Sequence, residues 1–164
     1  MLQALLEIAG ESSLHVPDVA MLVIHDPNLR WLDDAPLKPG QELRVKAITA
    51  DSDKSNDPIF NGEIVELEPE FGAATHHLVV RAYDRLHRLT RGRRVRTFQN
   101  VTDSDLVRQI ADESGLEADP ADTRKVHAYV LQCNQSNLEF LRERAASLGY
   151  LLYAHGKKLC FKPL

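Results

Sequence analysis

The sequence predicts an α+β fold: an antiparallel β-barrel or sandwich over residues 1–97, followed by a helix–linker–helix–β-hairpin unit over residues 98–164. Three observations predict it. Short apolar or alternating runs recur through the first half between Pro, Gly and Asp punctuation, which is the pattern of a small all-β domain. Two later segments, NVTDSDLVRQIADESGL and QSNLEFLRERAASLGYLLY, each open on a capping box and close on glycine, as helices do. Beyond Gly149 the apolar period shortens from helical to strand-like.

Residues Leu2–Gly10 read two ways: Leu2, Leu5, Leu6 and Ala9 fit a helical stripe, or the segment pairs as a strand with Val19–Ile24. Val19–Ile24 itself is a continuous apolar run between Pro17 and Asp26-Pro27, which suits a strand buried on both faces. Leu43–Ala47 alternates as a half-buried strand does. Glu63–Glu68 and Leu78–Tyr83 are two further strands, joined through turn formers that include Pro69 and Gly72. The boundary between the two parts is expected in the basic stretch before Phe98.

In the first helix Thr102 caps Asp105 reciprocally, Val101 and Leu106 occupy the hydrophobic-staple positions, and Gly115 supplies the positive φ that ends it. Leu106, Val107, Ile110 and Ala111 share the apolar face. The second helix repeats the scheme with Ser136 and Glu139, a stripe of Leu138, Leu141, Ala145 and Leu148, and a stop at Gly149. Glu139, Arg142, Glu143 and Arg144 solvate its other side. Tyr150–Tyr153 and Leu159–Phe161, separated by a turn at Gly156, then form a β-hairpin.

At 164 residues the chain can bury a real core, and its 43% hydrophobic content is ordinary for globular proteins. The net charge of −4 gives no global signal for phosphate binding. No run approaches the roughly 18 apolar residues of a membrane span. The start, MLQALLEIAGESSL, lacks a basic signal-peptide region, so synthesis in the cytoplasm is expected. The two cysteines, Cys133 and Cys160, are read as free thiols on partly buried segments.

Acid–base and metal chemistry find little purchase. DSDKSND at Asp51–Asp57 alternates oxygen ligands as a calcium loop does, but Asn56 and Gly62 stand where glycine and a bidentate glutamate are required, so a solvated loop is the better reading. Asp33-Asp34 are neighbours in a turn before Pro36, and adjacent carboxylates there point apart. His76-His77 and the other histidines offer no ligand spacing for zinc. Neither cysteine and no serine has a catalytic context. No enzyme, cofactor or metal is expected.

One feature rises above background. Arg81, Arg85, Arg88, Arg91, Arg93, Arg94 and Arg96 crowd into a short stretch of an otherwise acidic chain, with Tyr83 and Phe98 at its edges. They are candidates for contact with an acidic partner surface, with nucleic acid as the alternative reading and a solvated face as the bland one. Aromatic residues at 6% supply few stacking platforms for a nucleic-acid strand.

WLDD at Trp31–Asp34 with its Pro39-Gly40 turn, VRAYDRLHRLTRGRRVRTF, NVTDSDLVRQIADESGL, then NQSNLEFLRERAASLGYLLY and a closing apolar strand come in a fixed order. In that order the chain resembles the VgrG and phage late control protein D family over essentially its whole length. Within it the resemblance is closest to the VgrG-like hub of extracellular contractile injection systems, relatives of phage tails that puncture target cells. The resemblance implies a structural baseplate hub. Such hubs form trimeric rings in which each chain supplies two similar barrel-like domains, so that a pseudo-six-fold surface accepts the inner tube protein. It favours the barrel over the sandwich, and a strand over a helix at Leu2–Gly10. It makes residues 98–164 the start of the second hub domain. Expected partners are other hub copies, the inner tube protein and a spike protein or spike domain, within a tail-like particle. The chain ends at Leu164 where the second barrel would be building, so it is expected to be an N-terminal fragment or a reduced homologue.

Overall fold

The computed structural model describes residues 4–14, 16–33, 37–46 and 58–164. They divide into two compact units, Met1–Asp84 and Arg85–Leu164. The division lies inside the basic stretch, ahead of residue 97, and leaves all of its arginines but Arg81 in the second unit. Leu86 and Leu89 of the stretch enter that unit's core, and Arg94–Val101 pairs with a strand beyond the first long helix.

The first unit is an antiparallel sheet of β1 (Leu5–Glu11), β2 (Val19–His25), β3 (Glu42–Val45), β4 (Phe60–Phe71) and β5 (His76–Tyr83), in the order β1-β2-β5-β4-β3. A single helical turn, α1 (Arg30–Asp33), follows β2. Asp26, buried, starts that turn: its carboxylate accepts from the Trp31 amide at 3.1 Å and its own amide donates to the His76 carbonyl at 2.9 Å. Leu22, Ile24, Leu43, Ile64, Leu78, Val80 and Ala82 form the core on one face. β2 was expected to be buried on both faces, yet it alternates. Ala20, Leu22 and Ile24 are buried while Val19, Met21 and Val23 are half-buried, so among the described residues the two faces of this strand are covered unequally.

The expected barrel is a curled half-barrel, since β1 and β3 end the sheet with no further strand beside either among the described residues. The curl is visible in a cleft of about 270 Å³ lined by Ile8 and Ala20 from one side and by Val45 and Phe60 from the other. A bulge between Ile64 and Glu66 on β4 adds local twist. Gly62 permits a close approach there: a Cβ would lie 2.2 Å from the Tyr83 carbonyl oxygen and 2.5 Å from the Phe60 ring.

The second unit opens with a 3-10 helix at Arg85–Thr90, followed by β6 (Arg94–Val101), α2 (Asp103–Glu113), β7 (Glu117–Pro120), β8 (His127–Gln135), α3 (Asn137–Leu148), β9 (Tyr150–His155) and β10 (Lys158–Pro163). Both capping boxes are present, Thr102 with Asp105 and Ser136 with Glu139. Gly115 at φ +65° and Gly149 at φ +67° follow the helices. β9 and β10 form the antiparallel hairpin, and β7 adds parallel to β10. The segment between the helices, read as a polar linker, holds β7 and β8. β8 pairs antiparallel with β6 in a two-stranded ribbon.

Leu106, Ile110, Leu138, Phe140, Leu141, Leu159 and Phe161 lie at the centre of one core. Phe98 and Phe140 stack with centroids 5.8 Å apart. Leu148, expected in the stripe of α3, is 38% exposed, and Phe140 takes the inward position instead. Cys133 and Cys160 are free; Cys160 is buried, whereas Cys133 is exposed on the outer face of β8.

Candidate functional site

Each of the seven arginines has an identifiable partner within its own unit. Arg81, on β5, sits across from two β4 carboxylates, with Nη1 at 2.6 Å from Glu68 and 2.9 Å from Glu66. Those hydrogen bonds, Glu68's first, raise its already high pKa and keep the pair on the exposed face of the sheet. Arg85 is buried and donates to the Gly156 carbonyl at 2.9 Å, tying the 3-10 helix to the β9–β10 turn. Arg88 donates to the carbonyls of Ser114 and Gly115, each at 3.0 Å, and so satisfies the acceptors left open past the C-terminus of α2.

Arg96 is the most elaborately held. Its Nη1 lies 2.8 Å from each oxygen of Glu113, Nε donates to Gln132 at 2.8 Å, Nη2 to Asn137 at 3.1 Å, and the guanidinium stacks 4.9 Å from the Phe98 ring centroid. Gln132 is fully buried, and its amide donates onward to the Gln135 carbonyl and the Asn137 side chain. Arg94 reaches the same Glu113 at 3.2 Å. Burial pushes the Glu113 carboxyl up, but hydrogen bonds from Arg96 and Gln109 and the two arginine charges outweigh it and leave its pKa below the ordinary value.

Arg91, Arg93 and Arg94 are the exposed members of the group in the second unit. Arg91 Nη2 lies 3.1 Å from the His87 ring, and Arg93 bridges the Asn134 carbonyl at 2.7 Å and Glu139 at 3.1 Å. The arginines are thus first structural, joining β6 to α2, α3 and β8, and only part of their charge is presented to solvent. Arg81 belongs to the first unit and the other six arginines to the second.

The other sequence candidates separate. The Asp51–Asp57 loop lies outside the described residues, as does Asp34 of the Asp33-Asp34 pair. His76 packs edge-on against Phe71 at 5.4 Å and His77 lies 5.9 Å from His25, neighbours that serve the β4–β5 turn. Among the described residues no group of three or more His, Cys, Asp or Glu could hold a metal ion.

One cluster was not visible in the sequence. Asp103, whose side chain is 1% exposed at the start of α2, receives Arg144 Nε from α3 at 2.5 Å and faces His127 Nε2 from β8 at 2.9 Å. Arg144 Nη2 lies 2.9 Å from the same His127 nitrogen. Burial pushes the Asp103 carboxyl up, but the hydrogen bonds and charges of Arg144 and His127 together hold it below the ordinary carboxylate range. The three residues clamp two helices and a strand, and their spacings of 24 and 17 positions leave no sequence motif.

A protein-family model described as the Alg8 N-terminal domain matches residues 19–163. The chain belongs to the Alg8 N-terminal domain family. No curated protein matches it. Among solved structures, the chain superposes on the 43 kDa tail protein of prophage MuSo2 from Shewanella oneidensis with a TM-score of 0.73 at 16% identity, over 94% of this chain and 48% of that one. It matches the E. coli c3393 protein, a type VI secretion component described as similar in structure to the T4 tail proteins gp27 and gp5, with a TM-score of 0.71 at 16% identity, over 96% and 45% of the two chains. A tail protein from Neisseria meningitidis MC58 follows at 0.64 and 14%, over 94% and 44%. At these identities the likeness is one of fold, and the chain spans about half the length of the structures it matches. No helix among its described residues is long and apolar enough to cross a membrane.

Proposed function

We propose that this chain is a structural baseplate-hub component of a phage tail or contractile injection system, of the VgrG and late control protein D type, joining an inner tube to a spike. The observation that carries the reading is a fold shared over 94% or more of the chain with tail and type VI secretion proteins. The ordered motifs from Trp31 to Tyr153 add the finer reading of a hub. The role is assembly, not catalysis. In this reading three copies close a ring, the half-barrel of β1 to β5 contributes to the tube-facing surface, and Arg91, Arg93 and Arg94 register an acidic neighbour.

Such charges steer and orient a partner while the interface core supplies affinity. Coexpression with the inner tube and spike proteins of the same system, followed by size-exclusion chromatography, tests the proposal. A co-eluting complex supports it. Separate elution of all three, with the chain instead retained on nucleic acid in a strongly salt-dependent way, would replace it with the nucleic-acid reading.

A further inference from the structure

Natural sheets blunt their free edges with charge, proline or a covering element, because an open row of amides and carbonyls invites another strand. Edge strands here follow that rule: β1 carries Glu7 and Glu11, β3 Glu42 and Arg44, β6 Arg94 and Arg96, and β7 Glu117, Asp119 and Pro120. β9 and β8 are the exceptions: both lack formal charge and both pack against α3, and β9 meets the 3-10 helix as well. β8, HAYVLQCNQ, has no Lys, Arg, Asp, Glu or Pro, and it pairs with β6 along one edge alone among the described residues.

Beside its other edge lies a groove of about 380 Å³, lined by His127, Tyr129, Val130 and Leu131 of β8 and by Phe140, Glu143, Arg144 and Ser147 of α3. Tyr129 is 58% and Leu131 46% exposed, and register pairing sets Leu131 against Thr97 and Cys133 against the 73% exposed Val95 on the ribbon's outer face.

We infer that the free edge of β8 accepts an extended segment of a partner protein as a third strand, seated between β8 and α3. Backbone donors and acceptors on a strand edge match only another extended backbone, which fixes the occupant's conformation. Its outward side chains continue the apolar face of Tyr129 and Leu131, so they should be apolar or β-branched. Those turned toward α3 meet Glu143, Arg144 and Ser147 and should be polar. A second copy of this chain fits less well: α3 already lines the space beside the edge, and a copy pairing edge to edge would bring its own α3 into the same space. Arg144 is fixed by Asp103, so the wall is preformed. The inference stands independently of the hub reading, since it uses the second unit alone.

The test titrates the isotope-labelled full chain with the acetylated, amidated peptide KTVTVTVK and follows amide shifts and hydrogen exchange. Saturable shifts confined to β8 and the facing side of α3, with slowed exchange along β8, are expected. The same peptide with proline at each valine position should not bind. Tyr129→Lys with Leu131→Lys, both exposed, should weaken binding about tenfold or more while leaving circular dichroism and melting unchanged. Absence of β8 shifts at about 1 mM peptide, equal binding of the proline peptide, an unaffected double variant, or shifts centred on β1 or β3 would each overturn the inference. Protection of β8 that rises with protein concentration alone would overturn it in favour of a second copy.

Discussion

Removing the Asp103 carboxylate should be among the most damaging single changes available in the second unit. The group is 1% exposed and holds Arg144 at 2.5 Å and His127 at 2.9 Å, while those partners keep 25% and 16% of their side-chain surface in solvent. Breaking a buried pair by deleting one member costs about 3–5 kcal/mol, because the surviving charge stays desolvated without a counter-charge. Since water reaches a quarter of Arg144, Asp103→Ala should sit near the lower end, about 3 kcal/mol. With a urea slope of about 2 kcal/mol/M, the midpoint of the far-ultraviolet circular dichroism transition should fall by about 1.5 M. The pH dependence has a defined sign. Asp103 has a lower pKa folded than unfolded, so its contribution is present above the unfolded value of about 4 and is lost as pH falls through the folded value. The gap between wild type and Asp103→Asn should therefore be full at neutral pH and shrink as the solution is acidified below about 4. A midpoint shift worth less than about 1 kcal/mol at neutral pH, or a gap that widens on acidification, would refute the reasoning.

Three further outcomes are expected. Leu141, fully buried in the second core, should lose about 2–5 kcal/mol on change to alanine, and a cost below about 0.5 kcal/mol in a denaturant melt would show it faces solvent. Gly62→Ala should destabilise the first unit, read by the fluorescence of Trp31, because the added methyl meets the Tyr83 carbonyl and cannot be accommodated by a rotamer change; an unchanged melt would mean the strands part there easily. Replacing Arg91, Arg93 and Arg94 by glutamate should block particle assembly while leaving circular dichroism native, and normal particles carrying the triple variant would remove these residues from the interface.

The capped helices were legible because their signals are local: Thr102 to Asp105 and Ser136 to Glu139 each span three residues, Gly149 caps the second helix and Gly115 stands just past the Ser114 cap of the first. β8 was not, for a physical reason. Its inward positions include Gln132, buried by hydrogen bonds from Arg96 and to Asn137, while Tyr129 and Leu131 point outward, so polarity alternates in the opposite sense to a half-buried strand. Open curvature of the first sheet escaped for a related reason, since strand patterns report which face is covered and not whether two edges meet. The arginine run was seen as a cluster, but its partners were not. Glu113 and Glu139 lie many residues away on helices, and only the packing of β6 against them shows that the charge is largely spent inside the unit. Asp103 carried no signal in the sequence, because His127 comes from the unrevealed β8 and Arg144 from a helix whose packing against α2 no local pattern reports.

The hub reading is tested most directly on tail-like particles purified from the source cells, by mass spectrometry and cryo-electron microscopy of the wild type and of a strain lacking this chain. The account predicts that the chain copurifies with sheath and tube, that density at the junction of tube and spike accepts the half-barrel and the two capped helices, and that particles fail to assemble without it. Particles that assemble normally in its absence, and contain none of it when it is present, would contradict a baseplate role.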